Sequence, residues 1–126
     1  MKVIYIGLAG FAGALSRYSL SFLWNEGPGR FPWGTLACNL LGCLLLGYLS
    51  TAVLVNWKPD LRIAVTAGFI GAFTTFSAFS LEIVQLAASG RTGIAVVYGL
   101  VSLWGGLLFT WVGMAAAGKR KEVDRA

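Results

Sequence analysis

The sequence contains no histidine, only two cysteines, and few charges: 12% of its residues are Asp, Glu, Lys or Arg. Each shortage excludes something. Without histidine, imidazole serves neither as a general base nor as a metal ligand. Cys38 and Cys43 share one apolar run, where helical geometry points them about 140° apart. They cannot bridge each other there, and two thiols alone do not make a zinc site, so small packing residues are the plainer reading. A soluble domain carries about 25% charged residues, roughly twice what is found here. No phosphate-binding glycine loop and no catalytic triad is present, so nothing points to an enzyme. Ten basic residues against five acidic ones suit an anionic lipid surface. A nucleic-acid partner would need a larger basic surface.

What the chain does have is length without charge. Runs 3–24, 33–56, 63–88 and 94–117 are each apolar enough to cross a bilayer, which takes roughly 20 residues as a helix. Arg17 and Glu82 are the only charges inside them. These runs predict an all-α membrane protein, a single transmembrane domain over 1–126 with four spanning helices. The first run continues past Arg17 to Trp24, longer than the apolar stretch of a signal peptide, and is read as a retained span. Loops 25–32, 57–62 and 89–93 carry Gly or Pro punctuation. Connections this short make consecutive helices antiparallel neighbours. Trp24, Phe31, Trp33 and Trp57 lie near span ends, where amphipathic rings favour the interface. Both tails and the second loop share a side that holds seven basic residues: Lys2, Lys58, Arg62, Lys119, Arg120, Lys121 and Arg125. The other side has Arg30 and Arg91, with Arg17 nearby in its span. The positive-inside rule puts both termini in the cytoplasm.

Polar residues inside a membrane are costly and face a bundle interior, a partner or a water-filled path. Thr35, Asn39 and Gly42 fall on one face of the second helix. Tyr98, Ser102, Gly106 and Thr110 recur every four residues on the fourth. Such stripes line a path, or they are small residues that let helices pack closely; Gly7, Gly10 and Gly13 form a similar smooth strip on the first. Asn39 is read as functional, because a buried amide needs several partners and a hydroxyl would join helices more cheaply. Burying Arg17 costs roughly 2.5–3.5 kcal/mol on insertion scales. It either snorkels to the interface or draws an anion into a vestibule. Glu82 snorkels, pairs with a base such as Arg17, or hydrogen-bonds hydroxyls.

The third run holds the least ordinary stretch, 68–80, with Gly68, Gly71 and the consecutive Thr74 and Thr75. Glycine and β-branched residues weaken a helix. Composition leaves a continuous glycine-rich helix and a mid-membrane break equally open. A break would free carbonyl oxygens able to bind a small cation. The inward groups are an amide, hydroxyls, a phenol and a guanidinium, and phenyl rings have positively polarised edges. That inventory, rich in donors and poor in acids, suits a small anion.

Three segments together resemble the Fluc family of fluoride channels: 10–18 in the first helix, 32–42 in the second and 68–80 in the third. The resemblance covers nearly the whole chain. With it the third helix is read as broken near its middle, two pieces around 71–75. The resemblance implies an antiparallel, dual-topology dimer with two fluoride pores in a bacterial plasma membrane. It implies a passive, fluoride-selective channel that lowers cytoplasmic fluoride. By analogy Phe76 and Phe79 would turn ring edges toward fluoride, and Asn39 would donate its amide. Arg17 would sit by a vestibule, and Thr35, Ser77, Glu82, Tyr98 and Ser102 would lie along or near the path. Gly71 and Thr74 would offer backbone carbonyls to a structural sodium ion at the dimer interface. Two features depart from the pattern. Gly105 and Gly106 stand where the family often has a serine one turn after Ser102, so Thr110 or water would take over. The basic residues are also unevenly shared between the two sides, which sets a homodimer, the favoured reading, against pairing with a paralogue. Two other classes compete. A proton-coupled small multidrug transporter also has four helices, but its membrane acid lies in the first helix, whereas Glu82 lies in the third. A non-transporting scaffold subunit explains the small residues but not Arg17 and Asn39 together.

Overall fold

A computed structural model describes residues 2–123. Four spans are long and apolar enough to cross a membrane: Lys2–Trp24, Trp33–Ala52, Pro59–Ala88 and Thr92–Gly118. No strand occurs among the described residues. The helices are α1 (Lys2–Trp24), α2 (Trp33–Ala52), α3 (Pro59–Ile63), α4 (Gly71–Phe73), α5 (Phe76–Ala88) and α6 (Thr92–Val123). The second apolar run does not stay α-helical to its end: α2 stops at Ala52, and a 3₁₀ turn covers Leu54–Asn56. The third span starts ahead of its apolar run because Pro59 occupies a first-turn position in α3. Proline's fixed φ suits that position, and the amide it lacks is one a helix start leaves unpaired.

The turns place the ends. Gly27 to Arg30 closes with Arg30 N–H donating to Gly27 O at 3.2 Å, and Gly29 has φ +75°. Pro28 followed by a left-handed residue is the pattern of a type II turn, which needs glycine there. At the end of α5, Gly90 has φ +75°, while Arg91 N–H donates to Leu86 O and Gly90 N–H to Ala87 O. This is a Schellman stop, which satisfies the last carbonyls of the helix. Lys2 and Asp60 pair at 3.3 Å, bringing the N-terminus beside the second loop. The Arg91 guanidinium donates to Gly29 O at 3.0 Å, bringing the third loop beside the first. The up-and-down order expected from the short loops follows.

Glycines set how closely the helices approach. A Cβ on Gly47 would collide with the Thr110 carbonyl of α6, and one on Gly113 with the Leu44 carbonyl of α2. A Cβ on Gly13 of α1 would collide with the Phe69 carbonyl of the third span. Without a hydrophobic driving force in lipid, such close backbone contact is what holds membrane helices together. The strip read on α1 is less uniform than its spacing suggests. Gly10 would make only ordinary contact at 3.8 Å, and Gly7 meets nothing within 4 Å. A small core of Leu36, Leu86, Ala95 and Tyr98 lies between α2, α5 and α6. The outer faces are apolar and exposed, as at Phe11, Leu15, Phe22 and Leu107.

The third span is broken. Ala64–Ile70 is a wider, π-helical stretch that continues into α4. Thr74 (φ −83°, ψ 155°) and Thr75 (φ −148°, ψ 120°) are then extended, and α5 begins. The interruption read over 71–75 is narrower than that: Gly71 is helical, with φ −62° and ψ −34°. The two threonines secure the break from opposite ends. Thr74 Oγ1 donates to Ile70 O at 2.9 Å, beside its own N–H on the same carbonyl. Thr75 is the N-cap of α5 and accepts from Ala78 N–H at 3.2 Å, the role in which a threonine hydroxyl satisfies an orphan amide.

Candidate functional site

A backbone break at membrane depth must be satisfied from within the protein. Two side chains do this. Asn39 on α2 clamps Thr75: its Oδ1 accepts from Thr75 N–H at 2.8 Å, and its Nδ2 donates to Thr75 O at 3.1 Å. The amide pairs with the chain as a neighbouring strand would. Arg17 on α1 donates from Nε to Ala72 O at 3.0 Å. A continuous helix would bond that carbonyl to Phe76 N–H. Arg17 therefore does not snorkel away; it binds the break one helix over from Asn39. Gly42 leaves room for the arrangement, since a Cβ there would collide with the Thr74 methyl group.

Asn39, Thr74, Phe76, Phe79 and Ser102 border one groove of about 390 Å³. The sequence puts these residues on three different helices, and the break brings them together. Phe76 is 80% exposed, a large ring left without cover at mid-span. Ser102 Oγ is buried with no hydrogen-bond partner among the described residues. Ser77 is exposed and lies 3.2 Å from Thr75 Oγ1. Cys43, read as packing, also borders the groove, with its Sγ 3.5 Å from where a Gly106 Cβ would stand. Thr110 does not replace a hydroxyl at Gly106: its Oγ1 donates to the Gly106 carbonyl at 2.8 Å and is turned back onto its own helix.

Beyond Phe79 the ring contacts continue, and hydrogen bonds join them. Aromatic rings run in sequence from the groove to the first loop: Phe76 to Phe79 at 5.7 Å, Phe79 to Tyr98 at 5.2 Å, Tyr98 to Phe31 at 5.4 Å and Phe31 to Trp33 at 4.4 Å. These separations are those of attractive tilted and edge-to-face pairs. Tyr98 is fully buried, and its hydroxyl donates to Glu82 Oε2 at 2.8 Å. Thr35, also buried, donates to Glu82 Oε1 at 2.6 Å. Of the readings open for Glu82, the structure takes the hydroxyl bonds and not a pair with Arg17. The fourth member of the cluster lies in a loop, where sequence reasoning does not find it. Asn25 donates from Nδ2 to Thr35 Oγ1 at 3.2 Å and to Glu82 Oε1 at 3.4 Å, and its Oδ1 accepts from Gly34 N–H at 2.7 Å. Its only sequence signal is an amide next to the end of α1. Gly71 is exposed, and Thr74 is extended and half-buried.

Residues 4–114 match the profile of the family described as CrcB-like protein, Camphor Resistance (CrcB). The chain is 45% identical over 126 residues to fluoride-specific ion channel FluC 2 of Geobacillus kaustophilus, covering 97% of this chain and 98% of that one. It is 42% identical over 123 residues to fluoride-specific ion channel FluC of Acidobacterium capsulatum, covering 94% and 98%. Moorella thermoacetica has two such relatives, named FluC 2 and FluC 1, at 42% and 41% identity. With four spanning helices and a match of this extent, the chain is a multi-pass membrane protein that belongs to the CrcB family.

Proposed function

We propose that this protein is a passive fluoride channel that lets fluoride leave the cytoplasm. The relatives' name supports the ion, and one observation supports the route. The groove that holds the Asn39 amide and the unpaired Ser102 hydroxyl is flanked by Phe76 and Phe79, and leads by contact of rings to the Tyr98–Thr35–Glu82 cluster. A small anion surrenders its water only where donors replace it step by step. Asn39 Nδ2 carries two hydrogens, of which Thr75 takes one. Ser102 continues the donor series on α6, whereas the Tyr98 hydroxyl is already given to Glu82. Phenyl edges add positive potential without binding tightly enough to trap the ion. The hydrogen-bonded Glu82 and the absence of an acid from α1 give the proton-coupled transporter no support.

One chain leaves Phe76 and Gly71 uncovered, which supports a second copy in antiparallel orientation closing the groove. The exposed Gly71 and the extended, half-buried Thr74 then fit a hard cation held by carbonyl oxygens. Sodium there would tie the two breaks together and contribute positive charge, a structural rather than a transported ion. Such a site needs no carboxylate or thiolate. Exchange of sodium for a large organic cation during purification is expected to shift the dimer toward monomer by about threefold or more, which corresponds to roughly 0.65 kcal/mol, read by gel filtration. An unchanged dimer would remove the ion from the proposal.

The channel reading is tested with liposomes that contain only this chain, followed with a fluoride electrode after a potassium ionophore relieves the voltage. Rapid fluoride efflux is expected. Phe76→Ile keeps apolar bulk but loses the ring edge, and is expected to slow efflux about tenfold or more, a barrier increase of about 1.4 kcal/mol, with an unchanged elution volume. No efflux from the parent protein would sink the channel; normal efflux from Phe76→Ile would sink the phenyl track.

A further inference from the structure

A second cavity, of about 190 Å³, lies at the loop end of the Glu82 cluster, bounded by Asn25, Gly29, Arg30, Glu82 and Gln85. It has room for an ion with several waters, and it has no part in the groove described above. Glu82, whose carboxyl takes the hydroxyl bonds of Thr35 and Tyr98, is part of its wall. A carboxyl at that point works against an approaching anion unless a positive group stands across from it. Arg30 is that group. The first loop carries it, and the loop is fixed: the Gly27–Arg30 turn is closed, and Arg91 holds the Gly29 carbonyl. Arg91 is thereby used as a tie, while Arg30 is left on the cavity wall. Among the described residues the ion pair of Arg30 is with Glu26, at 3.6 Å, with side chains 62% and 67% exposed. A pair that long and that exposed is weak and readily exchanged.

We infer that this cavity is an anion-collecting mouth, in which Arg30 draws a small hydrated anion to the threshold of the Glu82 cluster. Glu26 acts as a tethered competitor that Arg30 releases when the anion arrives. Gln85 borders the same space with an amide that keeps the ion partly solvated, while the Asn25 amide hydrogens are given to Thr35 and Glu82 and hold the cluster together. A cationic wall in a narrow cleft raises the local anion concentration and the entry rate, and salt screens the effect. The inference rests on the fluoride reading and adds a site to it.

The test measures fluoride efflux from phosphatidylcholine vesicles for the parent, Arg30→Gln, Arg30→Lys and Glu26→Gln, at low salt and at about 1 M, where the screening length falls to about 3 Å. At low salt Arg30→Gln is expected about three- to tenfold slower than the parent, with Arg30→Lys near the parent and Glu26→Gln about twofold faster. At high salt all four are expected to converge. Parent-level efflux from Arg30→Gln at low salt would overturn the mouth and leave the channel intact. So would a deficit that salt does not relieve, since that is a structural effect, or one confined to vesicles with added anionic lipid, since Arg30 then serves a headgroup. A parent protein that passes no fluoride would overturn both.

Discussion

Asn39→Asp is expected to reduce fluoride efflux about 100-fold or more, a barrier increase of about 2.8 kcal/mol, while the protein elutes from gel filtration as the parent does. The substitution is nearly isosteric, so its effect isolates chemistry. The introduced carboxylate would keep one oxygen for Thr75 N–H, the bond Asn39 now makes at 2.8 Å. It would turn a second, charged oxygen toward the Thr75 carbonyl, where Nδ2 now donates at 3.1 Å. A lost donor facing a buried acceptor costs about 1–3 kcal/mol, and a full negative charge at the groove opposes the anion as well. The first effect falls on stability; the second acts on the anion and supplies the barrier that the 100-fold reduction needs. The close backbone contacts of Gly47 and Gly113 between α2 and α6 are far along the helix and do not change. Fluoride-electrode traces from parent and variant vesicles at equal protein loading decide it. Efflux close to that of the parent would show that the amide only braces the backbone and lies off the ion's path.

That double use of Asn39 marks where the sequence is legible and where it is not. Four spans follow from run length, because burying backbone polar groups in lipid leaves the helix as the simplest solution. The break is half legible. Two adjacent threonines disfavour the helix, but propensity cannot say which residue leaves it, and Gly71 stays helical. Thr74 and Thr75 leave because partners from elsewhere, Asn39 and Arg17, receive what the helix gives up. Those partners are 36 and 55 residues away, and no local pattern encodes them. The polar stripe on α6 is visible as spacing, yet its members have different fates. Tyr98 joins Glu82, Ser102 is left open to the groove, and Thr110 bonds its own helix. Asn25 gives no signal because a loop amide beside a helix end is ordinary until the fold sets Glu82 beside it. The π-helical stretch Ala64–Ile70 has no signal at all; within it the Phe69 carbonyl lies against Gly13.

That last contact carries the largest expected effect on stability. Gly13→Ala and Gly10→Ala make the same change on the same helix, one turn apart. Each gains roughly 1 kcal/mol of helix propensity over glycine in an interior position. At Gly10 the new methyl stands 3.8 Å from the Gly68 carbonyl oxygen, an ordinary contact. At Gly13 it runs into the Phe69 carbonyl oxygen, with the Phe69 carbonyl carbon and Cα at 3.0 and 3.1 Å. Backbone atoms cannot rotate aside as a side chain can, so α1 must move away from the third span. That movement pulls Arg17 from the Ala72 carbonyl, since both lie on the same two elements. Overpacking costs up to about 3 kcal/mol, and an unpaired buried carbonyl adds about 1–3 kcal/mol; together they exceed the propensity gain. Gly13→Ala is expected to lose its monodisperse elution peak about 10 °C or more below the parent on stepwise heating in detergent, from a shift of roughly 2–4 °C per kcal/mol. Gly10→Ala is expected to match or slightly exceed the parent. Equal thermal behaviour of the two variants would mean that α1 sits farther from the third span than this contact requires, and that Arg17 braces the break less tightly than its 3.0 Å bond implies.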